Sequence, residues 1–278
     1  MSRIWICGDF ELSLETPLVM GVLNVTPDSF SDGGEFDDPL VARTHALRMI
    51  AEGAHIIDVG GESTRPGSKE VSPAEEISRV RPIMTSLADE IAVPLSIDTR
   101  HAEVARAAVE AGASIVNDVA GFRDPEMVAV ALGASAGLVV MHMLGEPKTM
   151  QEEPRYDDVV DEVRGYLDRQ AQALVRAGVA PERICVDPGI GFGKTLEDNL
   201  ALLRSLPEIA DLGFPVLVGT SRKRFIGEIT GVTDPRGRLG GSIAAAAWAA
   251  AHGADIVRAH DVADTVCAVQ VAVAIKGE

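Results

Sequence analysis

Short apolar runs alternate with helical stretches along the whole chain. Most runs are apolar throughout and rich in β-branched residues, a pattern typical of parallel strands that are covered on both faces. Eight such runs end in a small or polar residue, at positions 17–24, 55–60, 94–98, 115–118, 137–142, 184–187, 215–219 and 255–258. Their ends are spaced widely enough for one crossover helix between each pair of strands.

The intervening stretches carry helix signals. Ser72, followed by Pro73 and Glu75, is typical of a capping box with proline at the first helical position. Gly112 and Gly178 follow the stretches 102–111 and 157–177, and glycine commonly ends a helix. The stretch 242–251 is nearly all alanine around Trp248, which suits close packing against a barrel wall or another subunit.

Eight βα units favour a closed (β/α)8 TIM barrel over an open doubly wound sheet. No linker, low-complexity tract or charge block divides residues 1–278, so we predict a single domain. Trp5 and the segment before Pro17 are expected to form a short N-terminal β cap that closes the bottom of the barrel. Two long loops, 26–38 and 61–71, are expected on the active-site face.

The chain of 278 residues carries 25 Lys and Arg against 42 Asp and Glu, a formal net charge of −17. This charge argues against binding nucleic acid or an anionic membrane, since both need a basic surface. No apolar run is long enough to span a bilayer, and the first twenty residues lack the features of a signal peptide. Cys7, Cys185 and Cys267 form no close pair, which favours reduced thiols in the cytoplasm.

Polar residues cluster at the ends of successive runs, where a barrel would bring them to one mouth. Each one alone is also explained as a turn or helix cap. Asp98, Asn117 and Asp187 together favour a shared site, because carboxylates accept paired hydrogen bonds and an amide both donates and accepts. Such a set suits a flat aminopyrimidinone-like ring better than a metal, and no HExxH motif or Cys/His cluster occurs.

Basic residues follow the second, seventh and eighth runs. They are Arg65, Arg222, Lys223, Arg258 and His260. The loops after strands seven and eight are the usual phosphate corner of this barrel, so the pattern predicts an anion site. A solvated loop remains an alternative for Arg222 and Lys223, and Lys223 could also be the Schiff-base lysine of an aldolase.

The glycine-rich stretch 189–195 is not a nucleotide-binding loop. The P-loop pattern requires glycine where this chain has Pro188, and no register gives the dinucleotide fingerprint. The stretch predicts a tight turn that lets Phe192 and the backbone approach a ligand. The Gly-x-Ser-x-Gly match at 133–137 precedes an apolar run instead of following one, so it does not form the strand–turn–helix elbow that acyl-enzyme chemistry requires.

Eight segments together resemble the dihydropteroate synthase family. They are MGVLNVTPDSFSDGG (20–34), DVGGESTRPG (58–67), SIDT (96–99), NDVAG (117–121), MHM (141–143), DPGIGFGK (187–194), GTSRK (219–223) and RAHD (258–261). They occur in family order and cover nearly the whole chain. The resemblance implies a (β/α)8 barrel that condenses 6-hydroxymethyl-7,8-dihydropterin diphosphate with p-aminobenzoate, giving 7,8-dihydropteroate and diphosphate for folate synthesis. It also implies Mg²⁺, a cytoplasmic homodimer and a sulfonamide target.

The resemblance assigns roles to particular residues. The pterin is expected to bind Asp98, Asn117, Asp187, Lys223, Met141, Phe192 and Gly219. The p-aminobenzoate pocket falls on Phe30, Thr64, Arg65, Pro66 and Ser221. The diphosphate falls on Asn24, Arg65, Arg258 and His260, with Asn24 also the magnesium ligand. Arg65, Lys223, Arg258 and His260 are the expected catalytic residues.

Two further functions share the barrel and the pterin residues. One is a methyltransferase domain that binds a folate, and the other is a non-catalytic protein that only binds pterin. The basic residues of 64–67 and 221–223 argue against the methyltransferase, because a methyl donor has no diphosphate to hold. Basic residues at every expected anion position argue against the non-catalytic protein.

Overall fold

A hairpin and a ring of eight βα units make up the part of the chain that the computed structural model describes, namely residues 3–25, 39–62, 71–145, 150 and 154–277. The hairpin strands are β1 (Ile4–Cys7) and β2 (Phe10–Ser13). The other strands are β3 (Leu18–Asn24), β4 (Ile56–Gly60), β5 (Leu95–Asp98), β6 (Ile115–Asp118), β7 (Gly137–Met141), β8 (Ile184–Asp187), β9 (Leu217–Gly219) and β10 (Ile256–Ala259).

Strands β3 to β10 form a closed parallel barrel in which sequence neighbours are also spatial neighbours. The pairing runs in order from β3 to β8, and β10 lies between β9 and β3. Strands β8 and β9 close the ring through a parallel bridge between Val186 and Val216. The predicted eight-stranded barrel is therefore confirmed, and each predicted run supplies one strand.

Helices connect the strands around the outside. They are α1 (Pro39–Ala51), α2 (Pro73–Ala88), α3 (Ala102–Glu110), α4 (Pro125–Gly133), α5 (Val159–Ala177), α6 (Leu196–Arg204), α7 (Leu206–Ala210), α8 (Arg224–Thr230), α9 (Leu239–Ala251) and α10 (Val262–Lys276). Helix α2 begins where predicted, with the Ser72 hydroxyl accepting from the backbone N–H of Glu75. Helix α5 ends at Gly178 in the left-handed conformation at φ +113°. No helix among the described residues is long and apolar enough to cross a membrane.

The alternation along each strand decides which side chains face the inside of the barrel. In β4, Ile57 and Val59 pack into the outer core between strands and helices, whereas Ile56 joins the cluster at the barrel bottom. Asp58 and Gly60 share the inward face with Ile56, because side chains two residues apart point to the same side. The inward residues therefore change from apolar at the bottom to polar at the carboxyl ends of the strands.

The hairpin closes the bottom of the barrel, as predicted. Trp5 is fully buried against the first inward residues of the barrel strands, among them Met20, Ile115 and Leu217. Its indole Nε1 donates to the backbone oxygen of Arg183 at 3.0 Å. The hairpin thus completes the lower core and leaves the opposite end of the barrel for a ligand.

We expect Trp5→Ala to lower the free energy of unfolding by about 3–5 kcal/mol, because it empties a packed site and removes the bond to Arg183. Urea denaturation followed by circular dichroism measures the change. Leu132→Ala is the control, since Leu132 is 47% exposed and should lose less. Equal losses in the two variants would contradict the role of the cap.

Candidate active site

Arg258 lies at the centre of the barrel mouth, between two carboxylates. Its Nε donates to Asp58 Oδ2 and its Nη2 donates to Asp98 Oδ2, each at 2.6 Å. The amide of Asn117 donates to the same Asp58 oxygen at 3.3 Å. Strands β4, β5, β6 and β10 are thereby connected at their carboxyl ends through one charged network.

Burial disfavours the charged form of each side chain in this network. The Asp58 side chain is fully buried, and those of Asp98 and Arg258 are 14% and 21% exposed. Burial raises the pKa of Asp98 to about 7; Arg258 opposes the shift, while Asp58 adds to it. Burial also disfavours the Arg258 cation, but the two carboxylates outweigh it and raise the guanidinium pKa. Arg258 thus stays charged and holds both carboxylates in place.

Asp187 at the end of β8 and Lys223 on the loop after β9 carry a second pair of opposite charges that interact across the mouth. Asp187 Oδ1 accepts from the backbone N–H of Gly189 at 2.7 Å, and burial raises the pKa of this carboxyl. Lys223 Nζ donates to the backbone oxygen of Ile190 and lies 4.8 Å from the centre of the Phe192 ring. Burial lowers the pKa of Lys223 to about 8, against the attraction of Asp187.

Apolar side chains and one glycine line the mouth beside these charged residues. Met141 belongs to a buried cluster with Val119, Met143 and Met150, against which Phe192 packs. Gly219 lies between Lys223 and Arg258, since a Cβ placed on it would be 3.7 Å from Lys223 Nζ and from Arg258 Cβ. The described part of the mouth thus combines flat apolar surfaces with carboxylates, an amide and two cations.

Ser221 and His260 meet at the rim of the mouth. The Ser221 hydroxyl accepts from the backbone N–H of His260 at 3.2 Å and lies 3.0 Å from His260 Nδ1. Two residues expected to bind different substrates are therefore in contact. This contact links the loop after β9 to the loop after β10.

Asn24 stands at the end of β3, on the side of the mouth next to Asp98. A Cβ placed on Gly60 would lie 3.7 Å from Asn24 Oδ1 and 3.9 Å from Asp98 Oδ2. Because Gly60 has no side chain, the space beside the Asn24 and Asp98 side-chain oxygens stays open.

Arg222 differs from the other basic residues of the predicted anion site. Its guanidinium makes a bidentate ion pair with Asp261, in which Nε donates to Oδ2 at 3.1 Å and Nη2 donates to Oδ1 at 2.6 Å. Its backbone has φ +59°, and its N–H donates to the Ser242 hydroxyl at 2.9 Å. Arg222 thus holds the turn that presents Ser221 and Lys223.

The structure brings together nine of the residues predicted for the site. They are Asn24, Asp98, Asn117, Met141, Asp187, Phe192, Gly219, Lys223 and Arg258, with Ser221 and His260 at the rim. Phe30, Thr64, Arg65 and Pro66 lie outside the described residues. Asp118 stands apart, because its carboxylate accepts from the backbone N–H groups of Ala120 and Phe122 in a turn.

Sequence reasoning gave no role to Asp58 or Lys194. Asp58 is the residue that holds Arg258, and the alternation of β4 indicates its inward position. Lys194 is buried beneath the loop after β8, where its amine contacts backbone oxygens. Its partners come from separate loops, so the linear sequence carries no signal for its position.

One further group of acidic and histidine side chains, Glu62, Glu76 and His101, is close enough to hold a metal among the residues described. His101 Nδ1 lies 2.7 Å from Glu76 Oε2, and this bond raises the pKa of the imidazole. Arg100 Nε donates to Glu62 Oε2 at 3.2 Å. Arg100 and His101 thus already pair with the two carboxylates, and we assign no metal to this group.

Comparison with known proteins identifies the family. The model of the family described as pterin binding enzyme matches residues 20–260. Dihydropteroate synthase of Synechocystis is 52% identical over 88% of this chain and 85% of its own length. The chain belongs to the dihydropteroate synthase family.

Solved structures of the dihydropteroate synthase family share the whole barrel. The Xanthomonas albilineans enzyme with 4-aminobenzoic acid has a TM-score of 0.94 and 46% identity, covering 100% of both chains. The Burkholderia cenocepacia enzyme complexed with 7,8-dihydropteroate has a TM-score of 0.90 and 49% identity, covering 99% of this chain and 97% of that one.

We expect Arg258→Met to destabilise the protein by about 3–5 kcal/mol, because it leaves the buried Asp58 carboxylate without its cation. Adding Asp58→Asn should recover part of that loss, since it removes the uncompensated charge. Urea denaturation of the single and double variants measures both effects.

The control is Arg224→Met, which removes an arginine whose side chain is 74% exposed in its pair with Glu228. It should cost less than about 1 kcal/mol. A double variant as unstable as the sum of its two single variants would contradict the charge coupling of Asp58 and Arg258.

Proposed function

We propose that this chain joins 6-hydroxymethyl-7,8-dihydropterin diphosphate to p-aminobenzoate, with release of diphosphate, through the residues of the barrel mouth. One observation carries the proposal. A buried set of carboxylates and an amide that suits a pterin ring, with Lys223 beside it, lies next to Arg258 and His260, which suit the diphosphate on the same substrate. Membership of the dihydropteroate synthase family supports the same reaction.

The pterin ring is assigned to the space between Asp187, Asn117 and Asp98. The ring presents adjacent N–H donors and ring acceptors, which match carboxylate oxygens and an amide. Lys223 offers a further donor near Asp187, while Met141, Phe192 and Gly219 form flat walls. In a site that excludes water, each charged hydrogen bond contributes about 1.5–3 kcal/mol.

The diphosphate is assigned to Arg258, His260 and Arg65, with Asn24 as a ligand of Mg²⁺. Magnesium prefers oxygen donors, and a site that binds it through substrate phosphate needs only one or two from the protein. The Asn24 amide oxygen, beside the gap at Gly60, fits that requirement. When bound, Mg²⁺ supplies positive charge to the departing diphosphate, which the chain's carboxylates would otherwise repel.

The p-aminobenzoate is assigned to Ser221 together with Phe30, Thr64, Arg65 and Pro66. The Ser221 contact with His260 supports this arrangement, because it brings the amine site next to the diphosphate site. The amine nitrogen can then approach the methylene carbon opposite the leaving oxygen, which is the orientation that displacement requires.

The reaction breaks one C–O bond and forms one C–N bond. The C–O electrons leave with the diphosphate, and the charge of Arg258 together with a hydrogen bond from His260 stabilises that oxygen. The pterin ring shares the positive charge that develops on the methylene. The arylamine then donates its lone pair to this carbon and loses a proton late, to water or phosphate. No side-chain nucleophile is needed, and Lys223 binds the ring.

We also propose a cytoplasmic homodimer that binds small molecules, and neither nucleic acid nor membrane. Trp248, Val271 and Ile275 expose 45%, 53% and 81% of their surfaces on the neighbouring helices α9 and α10. Such exposed apolar side chains suit a subunit interface. All three cysteines are free, which suits a reducing compartment, and the charge of −17 disfavours nucleic acid.

The assay that tests the proposed function follows labelled p-aminobenzoate into dihydropteroate. The purified protein with Mg²⁺ and the pterin diphosphate should incorporate the label and release one diphosphate per product. Lys223→Met and Arg258→Met should each lose at least about 100-fold in kcat/KM. Methyl transfer from a folate without label incorporation would indicate the methyltransferase, and pterin binding without turnover would indicate a non-catalytic protein.

We expect the chemical step to depend little on the nucleophilicity of the amine, because the proposed arrangement puts the charges of Arg65 and Arg258 around the leaving group. Single-turnover rates with ring-substituted p-aminobenzoates, all at saturation, measure this dependence. A steep rise of the rate with amine basicity would mean that the amine attacks before the diphosphate leaves.

A further inference from the structure

Lys194 carries a buried amine that the proposed mechanism does not use. The residue is 3% exposed. Its Nζ lies 2.9 Å from the backbone oxygen of Phe192, 3.0 Å from that of Gly189 and 3.0 Å from His142 Nδ1. Burial lowers the pKa of Lys194 to about 7. A lysine ammonium has three donors, so these three contacts satisfy the group when it is protonated.

The three acceptors belong to two different loops of the barrel mouth. His142 follows β7, whereas Gly189 and Phe192 follow β8. Burial lowers the pKa of His142 to about 3, and the Lys194 charge adds to the shift, so the imidazole is neutral. A neutral imidazole whose Nδ1 accepts from Lys194 carries its proton on Nε2. Lys194 thus bonds to both loops at once.

The loop that Lys194 holds contacts the groups assigned to the pterin. Both backbone polar groups of Gly189 are bonded, because its N–H donates to Asp187 and its oxygen accepts from Lys194. The Ile190 oxygen accepts from Lys223, whose amine also lies over the Phe192 ring. The positions of Asp187, Lys223 and Phe192 therefore depend on one loop conformation.

This conformation brings the two loops into backbone contact. Gly189 has φ +68°, and a Cβ placed on it would lie 1.9 Å from the His142 oxygen. The His142 oxygen also lies 3.4 Å from Lys194 Nζ, so four acceptors surround the amine, namely His142 Nδ1 and the backbone oxygens of His142, Gly189 and Phe192. Buried acceptors need a donor, and the Lys194 amine is the donor that these four share.

We propose that Lys194 is a positioning residue for pterin recognition, which joins the loops after β7 and β8 without touching the substrate. This inference rests on the proposed function, since it concerns the same pterin site. It separates the roles of two buried lysines, because Lys223 faces the ring and Lys194 faces the backbone behind it.

The test measures binding of 6-hydroxymethyl-7,8-dihydropterin to Lys194→Met by calorimetry. We expect the dissociation constant to rise by about tenfold or more, because the carbonyl oxygens and the imidazole of the two loops lose their shared donor. In steady-state assays the KM for the pterin diphosphate should rise, while kcat at saturation stays within about threefold, as expected when only uniform binding is lost.

Val269→Ala in α10 is the matched control for general destabilisation. Val269 is 4% exposed and belongs to the outer core, away from both loops. Its pterin affinity should equal that of the unchanged protein although its unfolding temperature falls. An unchanged pterin affinity in Lys194→Met, or a fall in kcat without a rise in KM, would overturn the inference.

If Lys194→Met does not fold, two substitutions at its acceptor His142 test the positioning role of Lys194 instead. His142→Asn keeps an acceptor near Nδ1 and should bind pterin more tightly than His142→Leu, which removes the acceptor. Equal affinities of these two variants would overturn the inference. If the unchanged protein binds no pterin, the proposed function itself is wrong, which separates the two failures.

Discussion

The single guanidinium of Arg258, shared by Asp58 and Asp98, is the interaction on which the rest of the barrel mouth depends. Two carboxylates and one cation lie at the end of a closed barrel, where burial opposes every charge. Arg258 on β10 reaches across to β4 and β5, so its ion pairs fix the orientation of the carboxylate assigned to the pterin. The same guanidinium is assigned to the diphosphate, so ring recognition and leaving-group stabilisation are coupled through one side chain.

The other side of the mouth is organised by backbone contacts. Asp187, Lys223 and Phe192 are held by the loop after β8, whose peptide groups accept from or donate to each of the charged residues around them. Lys194 stabilises this loop from behind, and Arg222 holds the neighbouring turn through Asp261. The protein thus builds this side of the pocket from loops, in which buried lysine amines donate to the carbonyl oxygens that the tight turns leave inside.

The barrel and most of its site were predictable because both follow from local patterns. Apolar runs that end in polar residues give parallel strands, and closure brings those ends together. The shared site of Asp98, Asn117 and Asp187 follows from their positions at the ends of the apolar runs. Asp58 was not assigned a role, because one carboxylate at a strand end is equally typical of a turn. The position of Lys194 was not predictable, since its partners come from two loops 47 residues apart at His142 and Gly189. Burial and pairing of charges are properties of the closed barrel.

The most direct test of this coupling uses a ligand that has no phosphate. Binding of 6-hydroxymethyl-7,8-dihydropterin to Arg258→Met, measured by calorimetry at pH 7.5, isolates the effect of the guanidinium on ring recognition. The account predicts that affinity falls by about tenfold or more, because Asp98 loses the partner that orients it and keeps it charged. Full affinity for the ring would contradict it, and would mean that Arg258 serves the diphosphate alone.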